Sequence, residues 1–226
     1  MAKIKFGMMM TDARGKLGGQ VFSKNAAGAY IRTKVTPSNP QTSYQATARA
    51  LFGSISAGWS ALTAAQRAAW NAAVSDWAKT DIFGDLKNPT GKALYQRLNN
   101  QAQSAGLAAV TDVPAKAELP NDVVTAAVIA VGAGTLTLTG ANADAATQIM
   151  LFATPVLSAG TKFVKNRLRN IDNYAGNAAT PADQYTAFTD KYGAPTAGDN
   201  VYIGVKYVLA NGQTSPLQII KASVTA

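Results

Sequence analysis

Apolar positions recur along this chain with two different spacings, and the spacing changes from one section to the next. Near the N-terminus "GGQVF" and "AYIRTKV" are rich in β-branched and aromatic residues. They flank "SKNAAG", in which Asn25 and Gly28 suit a turn of four or five residues. In the second run Tyr30, Arg32 and Lys34 alternate with Ala29, Ile31, Thr33 and Val35, so the basic groups share a face with Tyr30. Pro37 and Pro40 then stop the strand and keep the backbone extended. Residues 1–42 therefore read as an extended arm containing a short hairpin.

A helical period follows. Ala48, Leu51, Phe52, Ile55 and Trp59 make one apolar stripe on a helix from Thr42 to about Ser56, with Gly58 as its expected stop. Thr63 and Gln66 have capping-box spacing, and Trp70, Ala73, Val74 and Trp77 repeat the stripe behind that cap. A third helix is predicted from Thr90, presenting Leu94, Leu98 and Ala102 and ending at Gly106 with Leu107 as the contact of a glycine cap. "TDIFGDLKNP" between helices two and three reads as a loop or short hairpin.

Residues 108–122 have the prolines and mixed polarity of a linker or an edge strand. Beyond them the period shortens to that of strands. Val123 to Val131, "TLTLTG", "QIMLFATPVL", "TKFVKNRLRNI", "NVYIGVKYVLANGQTS" and "LQIIKASV" are strand candidates, and Asn211-Gly212 marks a hairpin. The exception is the long polar connection "DNYAGNAATPADQYTAFTDKYGAPTAGD", which has room for a short helical turn. The expected fold class is α+β and multidomain. Its parts are the arm (1–42), a helical unit (43–107), a linker (108–122) and an antiparallel β-sandwich (123–226).

Charge sharpens this division. The chain has 226 residues and a net charge of +9. Lys3, Lys5, Arg14, Lys16, Lys24, Arg32 and Lys34 stand against the single acid Asp12 in the first 34 residues, whereas 113–226 are nearly neutral. Cysteine and histidine are absent, which removes disulfides, Cys-ligated zinc, histidine triads and the usual general base near neutral pH. No run approaches the roughly 20 apolar residues of a membrane-spanning helix. No motif names a reaction, so the expectation is a protein that is not an enzyme, without metal or cofactor, made in the cytoplasm.

Several local features invite a chemical reading and a plainer one. Gly15, Gly18 and Gly19 lack the spacing of a phosphate loop and read as flexible backbone in an arm that conforms to a partner. Trp59, Trp70 and Trp77 have a helical spacing that favours core packing over a stacking platform. Lys162, Lys165, Arg167 and Arg169 read as a solvated strand edge. Asp172, Asp183, Asp190 and Asp199 lack calcium-loop spacing.

"GGQVFSKNAAGAYIRTKVTPSNPQT" with Gln45 and Arg49, "W" and "LTAAQRAAW" at Trp59 and Leu62 to Trp70, and "TGKALYQRLN" resemble a widespread, uncharacterised group of virion-associated proteins of tailed bacteriophages and prophages. In that group a "G...F...N" helix is the rule. Here Tyr95 stands for the Phe and Asn99 fits. "NVYIGVKYVLANGQTSPLQIIKASV" resembles the last two strands of immunoglobulin-like or fibronectin type III-like modules.

The resemblance implies a multi-copy structural protein of the virion, self-associating or bound to capsid, portal, neck or tail proteins. Lys3, Lys5, Arg14, Lys16, Lys24, Tyr30, Arg32 and Lys34 would be its partner-binding residues. Leu51, Phe52, Ile55, Trp59, Trp70, Trp77, Leu94 and Leu98 would form its helical core. Two other readings stay open: non-specific contact of the basic arm with packaged DNA, and a carbohydrate-binding adhesin that requires an exposed cluster of Tyr185, Phe188 and Tyr192.

Overall fold

The computed structural model describes residues 2–8, 10–119, 123–140, 147–161, 163–176 and 183–226. Lys162, positions 120–122 of the predicted linker and the side chain of Asp183 lie outside the described residues. The fold is mixed α/β, with four α-helices and three sheets among the described residues.

The N-terminal section is not an extended arm around a hairpin. It is a four-stranded antiparallel sheet of β1 (Ala2–Lys3), β2 (Gly15–Leu17), β3 (Gln20–Asn25) and β4 (Gly28–Thr33), in the order β1-β4-β3-β2. Both hairpin loops are two residues long. Gly18 supplies a positive φ (54°) between β2 and β3. Between β3 and β4 the Asn25 carboxamide oxygen accepts from the Ala27 N–H at 3.0 Å, which tightens the predicted longer turn to Ala26-Ala27.

The helical unit comprises α1 (Ser43–Ala61), α2 (Ala64–Ala72) running into a 3-10 turn at Ala73–Trp77, and α3 (Gly91–Ser104). A small hairpin of β5 (Lys79–Thr80) and β6 (Leu86–Lys87) separates the last two. α1 runs through Gly58 and Trp59 instead of stopping there. Gly58 has a packing reason instead, since a Cβ on it would sit 2.8 Å from the Tyr95 hydroxyl. The α3 terminus is a Schellman cap: Gly106 takes φ 85°, and the Leu107 N–H donates to the Ala102 carbonyl at 2.9 Å.

The C-terminal section holds β7 (Ala126–Ala130), β8 (Thr135–Thr139), β9 (Thr147–Ala153), β10 (Arg169–Ala175), α4 (Asp183–Tyr192), β11 (Val201–Leu209) and β12 (Gln218–Thr225). All six strands join one sheet in the order β10-β9-β11-β12-β7-β8. Two expectations are corrected here. β12 and β7 pair in parallel, so the sheet is not wholly antiparallel. Nor do the strands divide into two separate sheets. The sheet curls, so that Ile129 and Leu136 from one end share a core with Ile149 and Tyr174 from the other. α4 packs against both edge strands, β10 and β8, and its Phe188 is fully buried in that core. β10 also begins later than predicted, at Arg169, because residues 164–168 turn before the ladder with β9 starts.

Helical unit and curled sheet are interlocked. Ala105 and Leu107 pack on Met150, Val208 and Phe152, and Lys206 Nζ donates to Gln101 Oε1 at 2.7 Å. The β11–β12 turn lies so close to α3 that a Cβ on Gly212 would meet the Leu98 carbonyl oxygen at 2.3 Å. The connection 108–119 is held on both sides. Asn99 reaches Val110, and Gln213 bonds both the N–H (2.6 Å) and the carbonyl (3.1 Å) of Ala117.

Candidate functional surface and the helical core beneath it

The recognisable motifs turn out to be joints. In the proline turn, Arg49 Nη2 donates to the Asn39 side chain at 2.9 Å, and the Thr42 hydroxyl accepts from the Gln45 N–H at the start of α1. In "LTAAQRAAW" the capping box forms between Thr63 and Gln66. Gln66 then reaches Asp112 at 2.9 Å, while the fully buried Trp70 donates its indole N–H to the Thr111 carbonyl at 2.9 Å.

In "G...Y...N" each position answers to a contact. A Cβ on Gly91 would lie 2.2 Å from Asn71 Oδ1, so glycine lets α2 and α3 approach. Tyr95 packs edge-on to Trp70 (5.4 Å, 88°) and tilted against Trp59 (5.5 Å, 57°). Its burial raises the hydroxyl pKa. Asn99 donates to the Tyr95 and Val110 carbonyls and accepts from the Val110 N–H at 2.8 Å. Its three bonds serve the fully buried amide almost completely.

Of the expected helical core, Ile55, Trp70, Trp77, Leu94 and Leu98 are buried, and Leu51 and Trp59 pack partly buried against them. Phe52 is the correction: it is 53 % exposed. α1 has 19 residues and α3 only 14. At 1.5 Å per residue α3 is roughly 7 Å shorter. It meets the C-terminal half of α1, where Gln96 bonds Ser56, and leaves Phe52 and Tyr44 uncovered. The free half of α1 instead walls a cleft of about 1090 Å³ whose opposite side is Met150, Arg169, Asn170 and Tyr192.

The basic N-terminal residues divide into two groups. Lys3 pairs with Asp81 at 3.5 Å, and Lys5 pairs with Asp85 at 2.9 Å and stands 5.4 Å from the Phe83 ring centroid. These contacts fasten the sheet to the β5–β6 turn. Asp81 builds that turn itself, accepting from the N–H groups of Phe83 (2.8 Å) and Asp85 (3.1 Å). Its burial works to raise its pKa, but those two donors and the Lys3 ammonium outweigh it and hold the carboxyl below its ordinary value. Arg14 pairs locally with Asp12 at 3.2 Å.

Lys16, Lys24, Arg32 and Lys34 form no ion pair among the described residues, and all four are exposed. The register sets their faces. Lys16, Val21 and Arg32 lie in one cross-strand row, and Lys3, Tyr30 and Ser23 in a neighbouring row on the same face. With neighbouring strands about 4.8 Å apart, Lys16 and Arg32 stand roughly 10 Å from each other across Val21. Lys24 points to the other face with Ala29, and Lys34 lies past the end of β4. No residue of the described part of 2–40 is buried, although Val21, Phe22, Ser23 and residues 28–31 are partly shielded.

The aromatic trio required of a glycan-binding adhesin is not presented to solvent. Phe188 is fully buried, Tyr185 packs against the same core, and the Tyr192 hydroxyl donates to the Ala153 carbonyl at 3.1 Å. Among the described residues no group of three or more acidic side chains is gathered as a metal site, and no helix is long and apolar enough to cross a membrane. No family model matches the chain, and no curated protein or solved structure is significantly similar to it.

Proposed function

We propose that this protein is a structural, non-enzymatic component of a tailed-bacteriophage virion, attached to a capsid, portal, neck or tail protein through its N-terminal sheet and the uncovered half of α1. The observation that carries the reading is the N-terminal sheet itself, four strands without one buried residue. Such a sheet lacks the second layer that normally stabilises strands. A neighbour with an acidic, partly apolar surface would supply it, matching Lys16 and Arg32 and covering Val21 and Tyr30.

In this reading the curled sheet derives from an immunoglobulin-like module. Its antiparallel core β10-β9-β11-β12 corresponds to one face, and β7 joins β12 in parallel before pairing back to β8. α4 takes the place of the strands that would extend the second face. The test is proteolysis of the purified protein and of assembled particles that contain it. Trypsin cuts at Lys16, Lys24, Arg32 and Lys34 are expected in the free protein and absent in the particle. Equal cleavage in both sinks the proposal.

A second reading rests on the row of Lys16 and Arg32 beside Tyr30: contact with packaged DNA. Binding that falls steeply from low to physiological salt favours it. No binding at low salt ends it.

A further inference from the structure

Arg97 presents a separate problem. It lies on α3, half-buried, with its guanidinium 5.6 Å from the centroid of the Trp77 ring. Among the described residues it makes no hydrogen bond and no ion pair, and burial lowers its pKa. A cation withdrawn from water needs a partner, and the face of one indole offsets only part of its lost hydration. Among the described residues, the charged side chains that line the space beside it do not provide that partner, because they have the same sign.

Arg97 lines two adjacent cavities. The first, about 300 Å³, is bounded by Lys79, Lys116, Gln101, Gln213 and Thr214 along with Trp77. The second, about 310 Å³, shares Trp77 and Lys79 and adds Lys87, Asn88 and Thr90. Among the described residues no carboxylate lines either cavity. Lys116 bonds the Asp76 main-chain carbonyl, which leaves its charge uncompensated by that contact. Gln101 uses its oxygen to accept from Lys206, so its amide N–H groups remain as donors for the cavity.

We infer that this double cavity around Arg97 binds a phosphate chain. Arginine offers a planar fork that matches two phosphate oxygens, and the lysines add point charges at the walls. A single carboxylate would neutralise Arg97 alone. Lys87 already shares Asp85 at 3.9 Å, which leaves Arg97, Lys79 and Lys116 around the two cavities to match a ligand with several negative charges in a row, such as a triphosphate. The site does not depend on the virion reading. Arg97 belongs to α3, Lys79 and Lys87 to the β5–β6 hairpin and Lys116 to the connection 108–119; the N-terminal sheet contributes none of these cations, though Ala26 and Ala27 of its β3–β4 turn wall the second cavity.

Inorganic triphosphate titrated into the full chain by calorimetry tests this at about 0.15 M salt, where solvent-exposed charges are screened beyond roughly 8 Å. One-to-one saturable binding is expected. Arg97→Gln should weaken it at least tenfold and Lys116→Gln several-fold, whereas the combined Lys16→Gln, Arg32→Gln and Lys34→Gln variant should bind within twofold of the parent. Equal affinity for ATP identifies the phosphate chain as the whole ligand, and tighter ATP binding identifies a nucleotide as its source. Absence of saturable binding overturns the proposal, as does an unaffected Arg97→Gln or loss of binding in the triple variant. Should Arg97→Gln misfold, the parent protein still decides: triphosphate must shift the Arg97 Nε–H resonance, and an unmoved resonance is a refutation.

Discussion

β3 of the N-terminal sheet and β9 of the C-terminal sheet alternate side chains by the same geometry, yet five of the seven residues of β9 are buried and none of the six in β3. The difference does not come from the strands. β9 lies in a sheet that curls over its own core and is closed by α4, while β3 and its neighbours bury no residue on either face. Hydrogen-bonded ladders form in both places, but the hydrophobic contribution that scales with buried apolar area accrues almost wholly to the second. The N-terminal sheet is therefore a low-stability unit, held by its ladder and by ion pairs to one turn. Its order is available for a partner to complete.

The comparison breaks most easily at the helical core. Trp70→Ala removes a fully buried ring and its bond to Thr111, and should cost roughly 3–5 kcal/mol in urea unfolding. Phe22→Ala in the N-terminal sheet should cost roughly 1 kcal/mol or less. Equal losses would show that the two regions share one core after all. Next in size is Asn99→Ala, which strands the Val110 N–H and carbonyl inside the protein and should cost about 2–3 kcal/mol. Gly212→Ala follows. Its φ of 79° and the 2.3 Å approach to Leu98 demand a shift of the turn, at roughly 1–3 kcal/mol. Hydrogen exchange should rise at 115–117, which Asn211 and Gln213 hold, and stay unchanged in β3 and β4.

Much of the helical unit was legible in the sequence because its signals are local. Thr63 with Gln66, Gly106 with Leu107, and the Trp70 to Trp77 spacing each act within two turns of one helix. Gly58 misled because its reason is tertiary: the missing side chain makes room for a hydroxyl from α3. Phe52 misled because periodicity gives a face but not the length of the helix that covers it. The parallel β12–β7 pair joins residues 95 positions apart, and no local pattern encodes that choice. At the surface, the alternation placed Arg32 on one face with Tyr30, but Lys34 lies past the end of β4, and Lys3 and Lys16 join that face only through pairings the pattern did not contain. Arg97 gave no signal, since an arginine on an amphipathic helix is ordinary until its surroundings prove to hold no carboxylate.

The smallest expected effect bears most directly on the contrast between the two sheets. Asp81 is the post to which the N-terminal sheet is tied: its side chain is 4 % exposed and pairs with Lys3. Because its folded pKa lies below the ordinary value of about 3.9, its contribution is fully present above that value and is lost as pH falls through the folded pKa. Protection of the β1 and β4 amides, corrected for intrinsic exchange, should therefore be level from about pH 5 to 8 and drop below about pH 4. Protection in β9 and β11, where no such tether operates, should not follow that drop. Asp81→Asn should lower the β1 and β4 values several-fold at pH 6 and remove the acid step, leaving the global unfolding midpoint where it was. If the variant keeps full protection at pH 6, the Lys3–Asp81 pair does not hold the sheet. The attachment would then have to rest on the Lys5–Asp85 pair and on the contact of Lys5 with Phe83.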